Sequence, residues 1–429
     1  MIKLYEHQKK VLNDTAQLNK VAYYLDMGLG KTYVGSEKLI DLGANKNLLI
    51  CQKSKIKDWE NHFRESYPIV VFDITTKTMF DGFIHMAMSK LTLTRVIGIV
   101  NYELAWRRKE LLNLSDFTLM LDESSLIQND KAKQTKFVLK LKPKNVILLS
   151  GTPVNGKYEN LWTQAHLLGW DIKRTMYDAT YVNWTTIYDK SGMPHKIVDK
   201  QCPYKNVERL KAKLHDHGAV FMKTEEVLDL PQQNFITLNV PRHIKYSKFL
   251  KDSLVTLKDG TEIVGSNLLT KRLGLRQLCS IYNDDRYTTA QDLINSSNDR
   301  FIIFYCFNAE LERLKKICGD RPISIVNGAT KDLTAYENES NSITLIQYQA
   351  GAMGLNLQKC NKIIYFSLCE RSDLFEQSKK RIHRIGTQQT CFYWVLLCDR
   401  SIDCDIYHAL QQKQNYTDNL FKKYLTISE

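Results

Sequence analysis

Short runs of consecutive apolar residues recur along the chain, and each is followed by a polar turn and a stretch with helical periodicity. In the first part of the chain the runs lie at 21–25, 47–51, 96–100, 117–121 and 146–150. After residue 300 they lie at 301–305, 323–326, 343–347, 362–366 and 392–397. Continuous rather than alternating runs are typical of strands buried on both faces, and interleaved helices favour parallel strands. The pattern therefore predicts an α/β fold with two doubly wound parallel sheets.

Between the two predicted sheets, from about residue 170 to 298, the strand signals weaken and Tyr, Lys and Asn become frequent. Amphipathic stretches at 206–218 and 268–280 predict helices, and Leu230 followed by Pro231 predicts a break. The expected domains are a first lobe over 1–225 with a helical insertion from about 170, a linker and helical insertion over 226–298, and a second lobe over 299–429.

Composition indicates a folded chain, and the net charge indicates which class of partner it binds. The chain has 429 residues, 43% of them hydrophobic and 25% charged, which is ordinary for a globular protein of two or three domains. Its net charge of +13 favours a polyanionic partner such as nucleic acid. A solvated basic surface explains the charge alone equally well.

Cysteine spacing and hydropathy exclude several other classes of protein. The ten cysteines stand singly, with no C-x-x-C pair and no His grouping at metal spacing, so we expect neither a zinc site nor a disulfide framework. The N-terminus is polar where a signal peptide is apolar, and no apolar run approaches the roughly 18 residues of a membrane span. We therefore expect a cytoplasmic protein with no membrane partner.

The sequence DMGLGKT follows the first predicted strand and precedes a helical stretch. A phosphate-binding loop requires that context, because Gly28 and Gly30 let backbone N–H groups face the phosphates and the helix N-terminus adds positive potential. Lys31 would reach the β- and γ-phosphates, and Thr32 would help to hold Mg²⁺. The strict loop pattern has Gly where this chain has Leu25, so a plain turn before a helix is the alternative.

An acidic pair, Asp122 and Glu123, follows the predicted strand at 117–121. In ATP hydrolysis an Asp at a strand end can hold Mg²⁺, and an adjacent Glu can orient and deprotonate the attacking water. Taken alone, such a pair is more often a solvated loop or a helix cap. Its place three apolar runs after the phosphate loop indicates a hydrolytic site.

In the second lobe, Gln377, Arg381, Arg384 and Gly386 form a Q-x3-R-x2-R-x-G motif. Arginines three apart lie on one helical face, and guanidinium groups supplied from a second domain can neutralise charge on a γ-phosphate. A plain basic helix is the alternative for this motif alone. Together with the motifs of the first lobe, it predicts an ATP site at an interface that closes and opens.

Lysines and arginines also cluster outside these motifs. Such clusters neutralise backbone phosphates without reading base sequence, although any single lysine is more simply a solvated side chain. The clustered residues are Lys131, Lys133, Lys136, Lys140, Lys142, Lys144, Lys271, Arg272 and Arg276.

In this order the motifs resemble those of the Swi/Snf-like branch of superfamily 2 helicases, the ATP-dependent translocases on double-stranded DNA. The resemblance covers nearly the whole chain and implies two RecA-like lobes with a helical insertion between them. DMGLGKT matches the family's own loop, so Leu25 is no defect. In the first lobe the resemblance implies that Gln8 contacts adenine, and that Asn101 and Tyr102 contact the DNA backbone. The segment 150–162 resembles the motif that connects hydrolysis to lobe movement.

In the second lobe, residues 349–357 resemble the family's A-G-G-x-G-L-N-L element. The resemblance implies that Gly351 and Asn356 contact DNA, and that Gly354 and Gln377 face the nucleotide. It also implies that the two arginines of the Q-x3-R-x2-R-x-G motif stabilise the transition state.

Some positions depart from the family pattern. Ser125 stands where the family has the His of D-E-x-H, which removes one connection between the nucleotide site and the coupling motif. Asn155-Gly156 replaces the common Q-N after G-T-P-L, Lys380 stands at a frequent Asp, and Thr387 at a Gln. The acidic pair of the hydrolytic site is intact.

The implied function is an ATPase that moves along duplex DNA without sequence preference, with ATP and Mg²⁺ between the lobes. One alternative is a strand-separating or fork-remodelling helicase, because residues 202–231 faintly resemble the segment that precedes the second lobe in the fork-remodelling branch of the family. Another is the motor subunit of a restriction or defence complex with a nuclease partner. A DNA-binding subunit whose ATP site only switches conformation is a further alternative. Because the motor uses almost all 429 residues, we expect a phage or bacterial source.

Overall fold

The computed structural model describes residues 3–89, 94–154, 156–189, 191–228, 230–351, 355–384 and 386–421. They form two compact units. Unit 1 runs to Val227 and also takes in the chain after Gln414, and unit 2 runs from Leu228 to Gln414. Each unit is built on its own sheet with helices, which confirms the predicted α/β class.

Unit 1 contains a large parallel sheet and a separate hairpin. Its strands are β1 (Lys20–Leu25), β2 (Lys46–Cys51), β3 (Val70–Asp73), β4 (Val96–Asn101), β5 (Phe117–Asp122), β6 (Asn145–Leu149), β7 (Trp184–Tyr188), β8 (Pro194–Val198) and β9 (Ala219–Met222). The sheet has the order β3-β4-β2-β5-β6-β1-β9, and all its pairs are parallel. Strands β7 and β8 pair with each other in antiparallel fashion.

Most helices of unit 1 lie on the connections between its strands, and α1 precedes the first strand. They are α1 (Glu6–Asp14), α2 (Lys31–Asp41), α3 (Ile56–Ser66), α4 (Lys77–Met88), α5 (Tyr102–Ala105), α6 (Lys133–Lys140), α7 (Trp162–Leu167), α8 (Arg174–Tyr181) and α9 (Val207–Asp216). Because a parallel connection crosses from one end of the sheet to the other, the carboxyl ends of these strands share one edge.

Burial explains which strands the sequence pattern predicts. The five predicted runs become β1, β2, β4, β5 and β6, whose side chains are almost all buried. The pattern does not predict β3 and β9, which have four residues each and lie at the two edges of the sheet. An edge strand needs a less continuous apolar run, and Val70 at the start of β3 is 38% exposed.

Unit 2 has the second sheet. Its strands are β10 (Gln233–Val240), β11 (Leu254–Thr256), β12 (Glu262–Val264), β13 (Phe301–Tyr305), β14 (Ile323–Val326), β15 (Lys331–Asp332), β16 (Ile343–Gln347), β17 (Lys362–Tyr365) and β18 (Cys391–Cys398). The order is β10-β18-β17-β13-β16-β14-β15, parallel except for the antiparallel pair β14–β15. Strands β11 and β12 form a separate hairpin.

The helices that begin in unit 2 pack mainly around this sheet. They are α10 (Tyr246–Asp252), α11 (Leu268–Cys279), α12 (Asp284–Asn295), α13 (Asn308–Ile317), α14 (Thr334–Asn338), α15 (Tyr348–Gly351), α16 (Ser372–Lys379) and α17 (Ile402–Phe421). Among the described residues, no helix is long and apolar enough to cross a bilayer.

The segment 170–298 differs from its prediction as a linker and helical insertion. Besides helices it contains two hairpins and the strands β9 and β10. Strand β10 pairs with β18 over eight residues at the edge of the second sheet. Its sequence, QNFITLNV, interrupts the apolar residues with polar ones, so a search for continuous runs does not detect it. Val240, Phe249 and Leu278 from this segment lie in the core of unit 2, so residues 228–298 are part of that unit.

A buried ion pair lies in the core of unit 2. The guanidinium of Arg286 on α12 donates hydrogen bonds to the Asp403 carboxylate on α17 and, at 2.7 Å, to the carbonyl oxygen of Phe366. Arg286 is 0% exposed and Asp403 4% exposed. The thiols of Cys279 and Cys398 lie within 4.8 Å of the same carboxylate. All ten cysteines are free thiols.

Candidate active site

Three predicted motifs meet at the carboxyl edge of the unit 1 sheet. The phosphate loop follows β1, Asp122 is the last residue of β5, and Ser150 follows β6. Strands β5, β6 and β1 are direct neighbours in the sheet. Residues far apart in sequence therefore lie side by side at this edge, where open α/β sheets bind ligands.

The glycines of the phosphate loop adopt conformations that other residues rarely adopt. Gly28 has a φ of 92° and Gly30 a φ of 74°. A Cβ on Gly30 would lie 2.1 Å from Nε2 of Gln8, so a side chain there would clash as well as strain the backbone. The loop ends where α2 begins at Lys31, so backbone N–H groups of the first helical turn point out beside it.

Gln8 lies against this loop. The residue is 2% exposed, and its Nε2 donates a 3.1 Å hydrogen bond to the carbonyl oxygen of Leu29. Its Oε1 accepts a 2.9 Å bond from the backbone N–H of Tyr5. His7 contacts the same Leu29 carbonyl at 3.2 Å. The structure thus brings Gln8 to the phosphate loop, and its adenine contact stays a prediction.

The Lys31 ammonium is held over the loop by backbone carbonyls. It donates hydrogen bonds to the carbonyl oxygens of Leu25 at 2.9 Å and of Asp26 at 3.3 Å. A Cβ on Gly151 would lie 3.2 Å from Nζ of Lys31, so the glycine after Ser150 lets the ammonium approach. Thr32 is the second residue of α2, directly beside this charge.

Asp122 is fixed from two sides. Its Oδ2 accepts a 2.8 Å hydrogen bond from Nε1 of Trp59 on α3, and its backbone carbonyl accepts a 2.9 Å bond from the hydroxyl of Tyr102. Burial raises the pKa of the Asp122 carboxyl, while the Trp59 hydrogen bond and the Lys31 charge oppose that rise. The carboxylate is therefore partly desolvated and faces the loop lysine.

Glu123 follows in a left-handed backbone conformation, with φ 52° and ψ 58°. Its Oε2 accepts a 3.3 Å hydrogen bond from the hydroxyl of Ser150. The same Ser150 oxygen accepts a 3.2 Å bond from the backbone N–H of Thr152. Glu123 is thus bound to the S-G-T segment that the sequence analysis identifies with coupling.

Gln164 on α7 connects several of these segments, and the sequence analysis does not single it out. Its Oε1 accepts hydrogen bonds from the hydroxyls of Ser124 at 2.8 Å and Tyr24 at 2.9 Å. Its Nε2 donates a 2.8 Å bond to the carbonyl oxygen of Pro153. The side chain is 0% exposed. The acidic segment and the coupling segment are therefore joined through Gln164, although Ser125 stands at the family's His position.

Thr224 is a second contact that the sequence analysis does not identify. Its hydroxyl donates a 2.8 Å hydrogen bond to Oδ2 of Asp26, the first residue of DMGLGKT. Oδ1 of Asp26 accepts a 2.8 Å bond from the backbone N–H of Met27. The Asp26 carboxylate therefore positions the loop against the chain that follows β9. No signal in the local sequence around Thr224 indicates this contact.

The two predicted DNA contacts of unit 1, Asn101 and Tyr102, both have largely buried side chains, and Asn101 is 8% exposed. The side chain of Tyr102 is 1% exposed and its hydroxyl holds the backbone carbonyl of Asp122, so the side chain has a structural role, and the DNA contact of this residue stays a prediction. Asn101 donates a 2.7 Å hydrogen bond to Glu103 and lines a cleft of about 590 Å³. The residues lining the cleft are Lys53, Ile56, Lys57, Asp73, Thr75, Asn101, Glu103, Leu104 and Arg107.

The predicted residues of unit 2 lie on and after α16. Gln377 is 9% exposed, and Arg381 is 4% exposed with Nη1 3.4 Å from the carbonyl oxygen of Leu355. Arg384 is partly exposed, and its backbone N–H donates to the hydroxyl of Thr387 at 3.3 Å. Of the two predicted arginine fingers, Arg384 is thus the more accessible.

The G-rich element of unit 2 is described in part. Gly351 ends α15, and Asn356 has an exposed side chain. Gly354, predicted to face the nucleotide, and Asn155 in unit 1 lie outside the described residues.

Comparison with protein families gives two matches along the chain. The family described as SNF2-related domain matches residues 7–283, more than half of the chain. The family described as Helicase conserved C-terminal domain matches residues 285–386. The border between the two matches lies near the start of α12.

Individual relatives agree with these matches. The chain is 23% identical over 423 residues to "SWI/SNF-related matrix-associated actin-dependent regulator of chromatin subfamily A member 1" of Mus musculus, covering 88% of this chain and 39% of that protein. It is 22% identical over 447 residues to "Putative ATP-dependent helicase/translocase YwqA" of Bacillus subtilis, covering 94% and 47%. The chain thus spans less than half the length of either relative. The solved structure "Sulfolobus solfataricus SWI2/SNF2 ATPase core in complex with dsDNA" is similar with a TM-score of 0.44 and 19% identity, over 100% of this chain and 98% of that one.

Proposed function

Because the chain belongs to the SNF2-related family, we propose that it hydrolyses ATP and uses the energy to move along duplex DNA. The observation that carries the proposal is the convergence of Lys31, Asp122 and Glu123 at one edge of the unit 1 sheet, with Ser150 bonded to the glutamate. These are the groups that phosphoryl transfer to water requires: a phosphate-binding cation, a metal ligand and a base.

The residues at this edge fit Mg²⁺ and ATP. A hydroxyl from Thr32 and a carboxylate from Asp122 are hard oxygen donors of the kind Mg²⁺ prefers. Burial raises the pKa of Asp122, and a bound cation would favour its charged form. When bound, Mg²⁺ neutralises charge on the β- and γ-phosphates.

Within the proposal each side chain has a separate task. Lys31 binds phosphate oxygens, and Glu123 takes a proton from the attacking water. Ser150 orients the Glu123 carboxylate through its hydroxyl. Arg384, together with Arg381, supplies positive charge from unit 2 to the transferred phosphoryl group.

The DNA contact that we propose in unit 1 is the cleft that Asn101 lines. Lys53 and Lys57 come from the segment after β2, and Arg107 from the segment after β4, so the cleft lies at the same sheet edge as the nucleotide residues. Lys53 and Arg107 are exposed, and such cations contact backbone phosphates without reading base sequence. Lys57 is exposed too but is paired with Glu60 at 2.9 Å, and Asp73 and Glu103 also line the cleft. This supports sequence-independent binding and agrees with the net charge of +13.

The proposal is tested by the steady-state ATPase rate of the protein alone and with single-stranded, blunt duplex and forked DNA, each at two salt concentrations. We expect stimulation by plain duplex that fades with salt, and displacement of a third strand from a triplex as the protein moves. Lys31→Ala is the matched inactive control. An ATPase rate that no DNA changes would contradict the proposal. Stimulation by forked DNA alone would favour fork remodelling over translocation on plain duplex.

A further inference from the structure

The hairpin of strands β7 and β8, residues 184–198, stands apart from the large sheet of unit 1. All described residues from 184 to 196 are exposed. Trp184 is 40% exposed and Tyr188 is 71% exposed. Large apolar side chains grouped on one exposed element mark an interaction site.

The tip of the hairpin is braced by one carboxylate. Asp189 accepts hydrogen bonds from the backbone N–H groups of Ser191 and Met193, each at 2.9 Å, and from the hydroxyl of Ser191 at 2.6 Å. It also contacts Nε2 of His195 at 2.9 Å. These bonds connect the residue that follows β7 with residues just before and within β8.

The base of the hairpin is braced in the same way. Asp199 accepts a 2.6 Å hydrogen bond from the hydroxyl of Thr185 and a 2.8 Å bond from the backbone N–H of Cys202. Asn183 donates a 2.7 Å bond to the carbonyl oxygen of Cys202. A projection anchored at both ends loses little conformational entropy when it binds, which favours binding.

The two exposed rings share one face with a cation. Side chains alternate along a strand, so Trp184, Thr186 and Tyr188 point to one face and Ile187 to the other. Lys196 pairs directly with Thr186 and therefore lies on the ring face, between Trp184 and Tyr188 along the strand. By register, the face from Trp184 to Tyr188 carries a lysine and no acidic residue.

Two exposed aromatic rings with a lysine between them suit unpaired bases better than they suit a protein surface or an intact duplex. Aromatic side chains bind single strands because every base has a face that can stack, whereas the bases of a duplex are already stacked. A sugar–phosphate backbone would supply the counter-charge for Lys196, which an apolar protein surface would leave desolvated and unpaired. The chain as a whole carries a net charge of +13, which attracts the same polyanion.

We infer that the ring face of this hairpin binds unpaired bases of single-stranded DNA. The inference rests on the proposed function, because a protein that moves along duplex DNA reaches the unpaired bases at forks and gaps. With such a hairpin the motor captures a strand at a fork or gap, in addition to contacting the duplex backbone.

The test is the binding of a labelled oligothymidylate and of a labelled blunt duplex, followed by fluorescence anisotropy without nucleotide. In the full chain, the double variant Trp184→Ala/Tyr188→Ala is expected to bind the oligothymidylate at least about tenfold more weakly, because stacking on two rings is lost. Its affinity for the duplex and its duplex-stimulated ATPase rate should stay within about twofold. Ile187→Ala, which removes an exposed apolar side chain from the opposite face, is the matched control and should change neither.

Two further measurements keep the inference open to contradiction. Trp184→Phe/Tyr188→Phe retains both aromatic faces and should restore oligothymidylate binding to within about threefold of the wild type. Unchanged single-strand binding in the alanine variant, or an equal loss in Ile187→Ala, would overturn the inference. A dimer that the alanine variant dissociates in sedimentation experiments, with unchanged DNA binding, would also overturn it, because the face would then bind protein.

The outcome is separable from that of the proposed function. Absence of duplex-stimulated ATP hydrolysis in the wild type would contradict the proposed motor, whereas the binding experiment contains no ATP and decides the hairpin alone. A wild type that hydrolyses ATP on duplex DNA but binds no oligothymidylate would overturn only the hairpin inference.

Discussion

Glu123 combines a strained backbone with a fixed side chain. Its left-handed conformation, with φ 52°, costs a non-glycine residue on the order of 1–3 kcal/mol. The structure around it maintains that conformation, because Tyr102 holds the preceding carbonyl and Ser150 binds the carboxylate. A carboxylate held in this way needs little reorganisation to act as the proposed base, which is the advantage of a preorganised site.

The variant Glu123→Gln tests this role. The amide has almost the same shape but cannot take a proton from water, so we expect kcat to fall by about 10² to 10⁴ while ATP binding stays within about twofold. Single-turnover hydrolysis and binding of a fluorescent ATP analogue measure the two quantities. Glu110→Gln, an exposed acid of the same unit, is the control. Hydrolysis by Glu123→Gln at the wild-type rate would show that another group is the base.

Gln164 is expected to act on catalysis through other residues. In Gln164→Leu the hydroxyls of Ser124 and Tyr24 lose their acceptor, and the carbonyl of Pro153 loses the shorter of its two hydrogen bonds. The Ser150 hydroxyl then remains as the hydrogen-bonded connection between Glu123 and the Thr152 segment. We expect kcat to fall about tenfold with KM for ATP nearly unchanged, and stability to fall by about 1–3 kcal/mol. Gln164→Glu keeps both hydrogen bonds that the Gln164 side chain accepts, so its kcat and stability should lie between those of the wild type and of Gln164→Leu. A change in KM alone would contradict this positioning role.

The candidate site contains residues that a local sequence motif predicts and residues that no motif predicts. Lys31, Asp122 and Glu123 are predictable because their chemistry dictates residue type, spacing and position at a strand end. Gln164 and Thr224 act through contacts with partners up to 198 residues away, and an ordinary polar residue in a helix or turn gives no local signal of such a contact.

At the scale of elements, the central strands are predictable because burial on both faces demands continuous apolar runs. The edge strands and the hairpins need no such run. Strand β10 is the clearest case, since its pairing with β18 over eight residues, rather than its own composition, makes it part of the sheet. The helices α12 and α17 are joined by a charge pair that periodicity does not reveal.

The ion pair of Arg286 and Asp403 makes the packing of α12 on α17 sensitive to one side chain. Asp403→Ala leaves the Arg286 charge buried without its carboxylate, so we expect unfolding of unit 2 to become easier by about 3–5 kcal/mol. Urea denaturation followed by circular dichroism measures the change. Asp405→Ala alters an exposed acid on the same helix and should cost less than about 0.5 kcal/mol. Equal effects of the two variants would show that the pair contributes no net stability.

At the scale of the whole molecule, two units with separate cores carry different parts of the proposed motor. Unit 1 holds the phosphate loop, the acidic pair and the cleft that Asn101 lines, and unit 2 holds the two arginines of the Q-x3-R-x2-R-x-G motif. Each core is complete in itself, as the two separate clusters of buried residues show. Neither core draws buried residues from the other cluster, which is what the proposed motor requires of its two parts.

The cations of the cleft that Asn101 lines lead to a prediction about how the affinity for DNA depends on salt. If Lys53 and Arg107 each neutralise a backbone phosphate, Lys53→Gln/Arg107→Gln should lower the slope of log Kd against log salt by about 2, one for each lost contact. Affinity for blunt duplex should fall most at low salt, and similarly for every base sequence, because phosphate contacts carry no sequence information. Titration of labelled duplexes over a range of salt measures the slope. Lys331→Gln removes one exposed charge from the edge of the second sheet, half the charge that the double variant removes, and should leave the slope unchanged. An equal change per removed charge in both variants would mean that the net charge of +13, rather than the cleft, binds the DNA.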